Sequence, residues 1–397
     1  MDLTPLRLTN ERRSGGSAPR RIGEIAAVVI GVLLLAGAAA ATERWFDRHF
    51  LPSFFLPRRW YVLILTAVRV LMATLGVLLA FVVRRRIGRL VARAPMLSVQ
   101  IVAAAALALG ASELALRAVH LRPGEWLMPD EEPRRQPDQW LGWTFVPART
   151  GRANVGGRAI EYSFDAAGYR VSRADQPVDP DRPTVVFIGE SVMFGEGLTW
   201  EETIPAQVGA MMRIQSANLA VHGYSTDQEY LRLQTELPHF QHPTAVVALF
   251  MTALFGRNLD DDRPHLGPGL VWLPAESHGR LSSLATLLVP YRTEETVEHG
   301  IAMTQQALRA IVDLSRERGA APLIVVPQLG PEAPVERTVR RRVLDEAHLP
   351  YLLIETDDAW RLPWDRHPNA RAARVIATAI ASRLHLDLAS EGRGQAQ

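Results

Sequence analysis

The chain contains no cysteine and no lysine. Without thiols it has no disulfides, no cysteine nucleophile and no thiolate metal site, and its redox compartment stays open. Without an amine, Schiff-base and pyridoxal phosphate chemistry are excluded. The glycine-rich run Gly189 to Gly197 also fails as a Walker phosphate loop, which requires a lysine. The 44 basic residues are therefore all arginine, against 42 acidic ones, and they are scattered or flank apolar segments. That distribution gives no nucleic-acid footprint. His239 and His242 have a metal-like spacing, but with no third ligand they read as a helix end. Asp260, Asp261 and Asp262 read as a solvated loop. No cofactor, metal or nucleic acid is expected.

Apolar residues are plentiful, 48% of 397 residues, enough for one globular domain and a membrane region. Three stretches, about 25–42, 60–83 and 94–112, approach the roughly 20 residues needed to cross a bilayer as a helix. Arg69 interrupts the second, a cost of about 2.5–3.5 kcal/mol that its apolar neighbours outweigh, and it reads as a snorkelled or helix-packed arginine. Arg12, Arg13, Arg20 and Arg21 precede the first span, and Arg84, Arg85, Arg86, Arg89 and Arg93 separate the second from the third. Both ends are expected in the cytoplasm. The first span also has the make-up of a signal peptide, with small residues Ala38 to Ala41. With or without it, the chain beyond the third span is expected outside the cytoplasm. The expectation is a multi-pass inner-membrane protein with a periplasmic carboxyl-terminal domain.

Residues 1–121 thus form the expected membrane region, 122–182 a linker and small β extension, and 183–390 the main domain. Within the extension, runs on either side of Gly156-Gly157 predict a hairpin. From Thr184, β-rich runs alternate with helical patterns, the signature of a parallel sheet covered on both faces. Expected strands are Thr184–Ile188, Ala217–Val221, Ala245–Phe250, Leu323–Val326 and Tyr351–Ile354. Expected helices are Ile204–Arg213, Thr226–Leu237, Ile301–Arg318, Val335–Ala347 and Ala370–Leu384. Thr252 to Gly300 reads as a long insertion over the site.

The segment TVVFIGESVMFGEGL places Ser191 where a buried strand meets a tight turn, the position an open α/β sheet gives to ligands and nucleophiles. A serine hydroxyl becomes a nucleophile when an imidazole takes its proton and a carboxylate fixes that imidazole. Asp365 and His367, spaced i, i+2 on an extended segment before Pro368, supply both from one loop. Asn369 is the expected N-cap of the last helix. Backbone N–H groups at Ser191 and Gly223, with an amide such as Asn258, are candidates to bind an oxyanion, and Thr252 and the backbone alone are the alternatives to Asn258. His222, beside Gly223, is a candidate to line the pocket.

Together these blocks resemble the SGNH (GDSL-type) serine esterase superfamily, whose four blocks supply Ser, Gly, Asn and His. The resemblance rests on GESVMFGEGL, NLAVHGYSTDQEY and DRHPNARAARVIA, and covers roughly Tyr162 to Leu384. YSFDAAGYR is similar to a segment that precedes the nucleophile strand in membrane-linked members. Glu190 stands where the family has aspartate. In ALFMTALFGRNLDDDRPH, Asn258 comes six residues later than the family's oxyanion asparagine normally does. The resemblance implies a three-layer α/β/α fold with a five-stranded, flavodoxin-like parallel sheet. It also implies hydrolysis of acyl, above all acetyl, esters of envelope glycans or lipids. Its rivals are an O-acyltransferase, served by a membrane partner protein, and a noncatalytic glycan-binding or assembly protein.

Overall fold

The computed structural model describes residues 17–41, 50–52, 58–118, 132–276, 291–363 and 367–394. The chain divides into two units, one within residues 1–120 and 279–294, the other within 121–278 and 295–397.

Among the described residues of the first unit are four helices: α1 (Ser17–Ala40), α2 (Arg58–Val77), α3 (Arg84–Arg93) and α4 (Pro95–Ala118). A π-helical stretch, Leu78–Val83, joins α2 to α3. Ala18–Ala40, Val62–Arg93 and Pro95–Ala115 are each long and apolar enough to cross a membrane. The second runs past the expected end at 83 as far as Arg93, because the arginines beyond that point favour helix and do not break it. Gly31 and Gly76 let α1 and α2 touch: a Cβ on either would lie 2.8 Å from the other's carbonyl oxygen. Such small-residue contacts drive helix association where lipid competes for every larger side chain. Arg69 donates to the Ala38 carbonyl at 3.0 Å. That oxygen lies in the last turn of α1, where carbonyls have no partner within the helix. The same unit contains a short antiparallel pair, Phe50–Pro52 with Tyr291–Thr293.

The second unit is built on one mixed sheet of eight strands: β1 (Arg149–Val155), β2 (Arg158–Phe164), β3 (Arg170–Val171), β4 (Thr184–Ile188), β5 (Gln215–Asn218), β6 (Pro243–Leu249), β7 (Ala321–Leu329) and β8 (Tyr351–Thr356). Their order is β8-β7-β6-β4-β5-β3-β2-β1. The five strands β8, β7, β6, β4 and β5 are mutually parallel, as expected. The chain departs from expectation at the other edge. β1–β3 add antiparallel strands to this same sheet through the Arg170–Asn218 pairing. The β extension is thus continuous with the main fold, and Phe145, Ile160, Tyr162 and Phe164 share one core with Val185, Phe187 and Ile204.

Helices α5 (Ser191–Phe194), α6 (Ile204–Met212), α7 (Thr226–Glu236), α8 (Glu294–Glu317), α9 (Pro334–Arg340) and α10 (Ala370–Gly394) connect the strands. β4 is buried at every position, which its uninterrupted Thr-Val-Val-Phe-Ile run anticipates. β5 starts at Gln215, earlier than the expected Ala217. Its bonding to β4 nonetheless extends further, through Leu219 N–H to the Phe187 carbonyl and Val221 N–H to the Gly189 carbonyl. α8 begins at Glu294 and not at the expected Ile301, so the insertion is shorter than its sequence suggests. It contains a 3-10 segment, Thr252–Leu259, and a small hairpin, His265–Gly267 with Val271–Leu273.

Candidate active site

At the carboxyl end of β4 the chain turns sharply through Gly189, and close packing dictates that residue. A Cβ there would lie 2.7 Å from Met193 Cβ and 2.9 Å from Leu249 Cβ on β6. Glu190 caps α5 with its own side chain, Oε1 accepting from the Val192 N–H at 3.1 Å. Ser191 opens the helix, and its Oγ lies 2.7 Å from His367 Nε2. The two residues, 176 positions apart, thus meet at the rim of one sheet. His367 is held by its backbone: its carbonyl accepts from Leu362 N–H at 2.8 Å, and Pro368 bridges Arg361. Asn369 caps α10, Oδ1 accepting from the N–H groups of Arg371 and Ala372. Asp365, the expected carboxylate of the triad, lies outside the described residues.

Ser191 Oγ also contacts Glu190 Oε2, the oxygen that Arg257 Nη1 binds at 3.1 Å. Burial opposes the Glu190 charge. The Arg257 guanidinium, the serine hydroxyl and His367 outweigh burial and hold the carboxyl below the usual range. The serine hydroxyl donates to Glu190 Oε2 and is in contact with His367 Nε2, so one oxygen joins a carboxylate to an imidazole. Neither Arg257 nor this second contact of Glu190 was foreseen from sequence, and the six-residue offset of Asn258 was the only local sign that the third block is built differently.

Asn258 donates both amide hydrogens, to Thr226 Oγ1 at 3.0 Å and Thr304 Oγ1 at 2.9 Å, and its Oδ1 accepts from the Thr226 N–H. An amide so committed ties α7 to α8 and has no donor left for an oxyanion. Thr252, one alternative, is buried. Gly223 has φ +85° and packs against Trp143, while its carbonyl accepts from Arg263 at 2.8 Å. Among the described residues, the N–H groups of Ser191 and Gly223 have no acceptor. These two remain the candidate oxyanion donors. His239 pairs with Glu236 at 3.4 Å, and the described residues hold no group of three side chains able to bind a metal.

Glu229, on α7, is 3% exposed and faces a small cavity that Glu190, Tyr224, Thr226 and Asn258 also line. Among the described residues its Oε2 has no hydrogen-bond partner. Burial, then the charge of Glu190, pushes its carboxyl well above the ordinary 4.5. Below that value the group is protonated whether folded or not. As pH rises above it, the unfolded chain ionises while the folded one keeps its proton, so stability falls by about 1.4 kcal/mol per pH unit. Glu229→Gln is therefore expected to raise the melting temperature of the detergent-solubilised chain, by a margin that widens as pH climbs above the ordinary carboxyl range. A margin independent of pH would mean that Glu229 ionises in the folded protein.

No protein-family model matches the chain, and no curated protein matches it in sequence. In structure it is similar to a GDSL-like lipase from Bacteroides thetaiotaomicron (12% identity, 53% of this chain and 92% of the other, TM-score 0.32). It is also similar to an acetyl xylan esterase from Butyrivibrio proteoclasticus (12%, 54% and 66%, TM-score 0.32). A salicylyl-acyltransferase from a tetracycline biosynthetic pathway is a third (14%, 53% and 56%, TM-score 0.31). The likeness is distant and spans about half of the chain.

Proposed function

We propose that the protein is a membrane-anchored serine esterase, in which Ser191 attacks an acyl ester and the resulting acyl-enzyme is hydrolysed. The observation that carries this reading is the 2.7 Å contact between Ser191 Oγ and His367 Nε2 at the carboxyl end of a parallel strand. In the proposed cycle His367 takes the serine proton and returns it to the leaving alcohol, then repeats the exchange with water. The N–H groups of Ser191 and Gly223 bind the oxyanion, and Asp365 orients the imidazole. The substrates are acyl, above all acetyl, esters of envelope glycans or lipids.

The proposed setting is the inner membrane, with the second unit on the periplasmic side. Three spans with arginine-rich cytoplasmic ends support it. The pairing of Phe50–Pro52 with Tyr291–Thr293 supports three crossings, because the loop after the first of three spans shares a side with the chain after the third in either orientation.

A fluorophosphonate probe reacts only with an activated hydroxyl, so the full-length protein is expected to be labelled at Ser191 and Ser191→Ala not at all. An unlabelled parent would leave a noncatalytic glycan-binding or assembly role. One observation favours a second reading, O-acyl transfer to a sugar: Ser191 is 0% exposed, and excluding water is what transfer requires. Acetyl product appearing on an added sugar in place of free acetate would decide for transfer, with a membrane partner as acyl source.

A further inference from the structure

A second imidazole stands beside the first. His222, on the loop after β5, lies with its ring centre 6.2 Å from that of His367. Its Nδ1 is 2.8 Å from Glu196 Oε2. Glu196 comes from the turn that ends the nucleophile helix. Burial opposes its charge, but the bond to His222 and the charges of His222, His367 and Arg170 hold its carboxyl below the usual range. The loop is fixed from behind, since Trp143 Nε1 donates to the His222 carbonyl at 3.0 Å. A carboxylate on Nδ1 leaves Nε2 as the nitrogen open to another partner. The side chain is 37% exposed while Ser191 is buried, so His222 is the member of this cluster that an incoming molecule meets first.

We infer that His222, oriented by Glu196, binds the alcohol oxygen of the ester and suits the site to poor leaving groups such as sugar hydroxyls. The inference rests on the serine esterase reading above. During acylation the Ser191 Oγ–acyl carbon bond forms and the bond from that carbon to the alcohol oxygen breaks. The serine proton passes through His367 to that oxygen. The contact uses the imidazolium form of His222, with Nδ1–H on Glu196 and Nε2–H on the alcohol oxygen; it gives up neither proton and holds the oxygen beside His367 Nε2 while negative charge collects there. The ring centres are 6.2 Å apart, close enough for one oxygen to lie between the two imidazoles. An aryl oxygen is stable as the anion and gains little from this contact, whereas a sugar alkoxide gains most. In the transfer direction the same contact seats the acceptor hydroxyl.

The test compares leaving groups in the full-length protein in detergent. kcat/KM is measured for nitrophenyl acetate and for an acetylated sugar, each divided by the fraction of Ser191 that a fluorophosphonate labels. That division lets a partly folded variant still report. His222→Ala is expected to lower the sugar-ester value by at least about tenfold more than the aryl-ester value. Glu196→Gln, a positioning change, should give the same pattern to a smaller degree. Equal losses on both esters in both variants would overturn the inference and leave the esterase reading intact. Failure of the parent to be labelled at Ser191 would remove both.

Discussion

Ser191→Ala is expected to lower ester hydrolysis by on the order of 10⁴-fold or more, and His367→Ala by a similar factor. The double variant should be little worse than either, because a nucleophile and its base act as one unit and the second loss removes nothing that the first left working. Neither change should unfold the domain. In Ser191→Ala the carboxylate of Glu190 keeps its guanidinium partner at 3.1 Å and its bond to the Val192 N–H. The measurement is kcat on a short-chain ester, with the melting temperature as control. Retention of a tenth of parental activity in either variant would reject the mechanism. Asp365→Asn should lower kcat more than it raises KM, since the wrong tautomer harms turnover and leaves binding intact.

The second large effect is expected at Arg170, a residue with no contact to substrate in the proposed cycle. Its side chain is 1% exposed, and burial pulls its pKa down to about 10, so it is charged at neutral pH. Nη1 donates to the carbonyls of Phe194 and Gly195, both at 2.8 Å, and Nη2 to that of Leu198 at 2.6 Å. Its guanidinium carbon lies 4.7 Å from the ring centres of both Tyr162 and Phe194. One cation thus closes the turn that carries Glu196 and ends the nucleophile helix. Arg170→Met keeps the volume and removes every donor: the Leu198 carbonyl loses its partner, while the Phe194 carbonyl keeps Asn218 Nδ2 at 3.3 Å and the Gly195 carbonyl keeps the Leu198 N–H at 3.1 Å. One orphaned carbonyl and two lost bonds to a charged donor each cost about 1–3 kcal/mol, so the total loss is expected to reach several kcal/mol. Lysine is no substitute, because its single ammonium lacks the planar fork that reaches all three oxygens. Denaturant unfolding and kcat are expected to fall together in Arg170→Met. A variant as stable as the parent would show that the carbonyls find other donors.

Arg170 also shows where reading a sequence stops. The YSFDAAGYR segment could be singled out as a unit, but nothing local says that its last arginine reaches the turn 25 residues on. Ser191 and His367 were legible because each marks a strand end or a loop with its own signature: a buried β run into Gly-Glu-Ser, and an Asp-x-His-Pro before an N-cap. The five parallel strands were legible for the same reason, as apolar runs bounded by turn residues. The antiparallel edge was visible as a hairpin, yet its joining to the main sheet rests on one pairing, Arg170 with Asn218, which carries no pattern. The bonds of Asn258 to Thr226 and Thr304 were not legible, because both partners are distant in sequence and unremarkable in type. The Glu190–Arg257 contact was hidden likewise: 67 residues separate its partners.

The short pairing of Phe50–Pro52 with Tyr291–Thr293 has a practical corollary for anyone who would excise a soluble enzyme. The excursion of residues 279–294 groups with the helical unit, while the chain on either side of it belongs to the other. A fragment beginning at 122 would keep that excursion but strip away the strand it lies against, exposing an open edge that invites aggregation. Replacing 279–294 with a short polar turn, or grafting residues 50–52 onto the fragment, removes that hazard where a shifted start point does not.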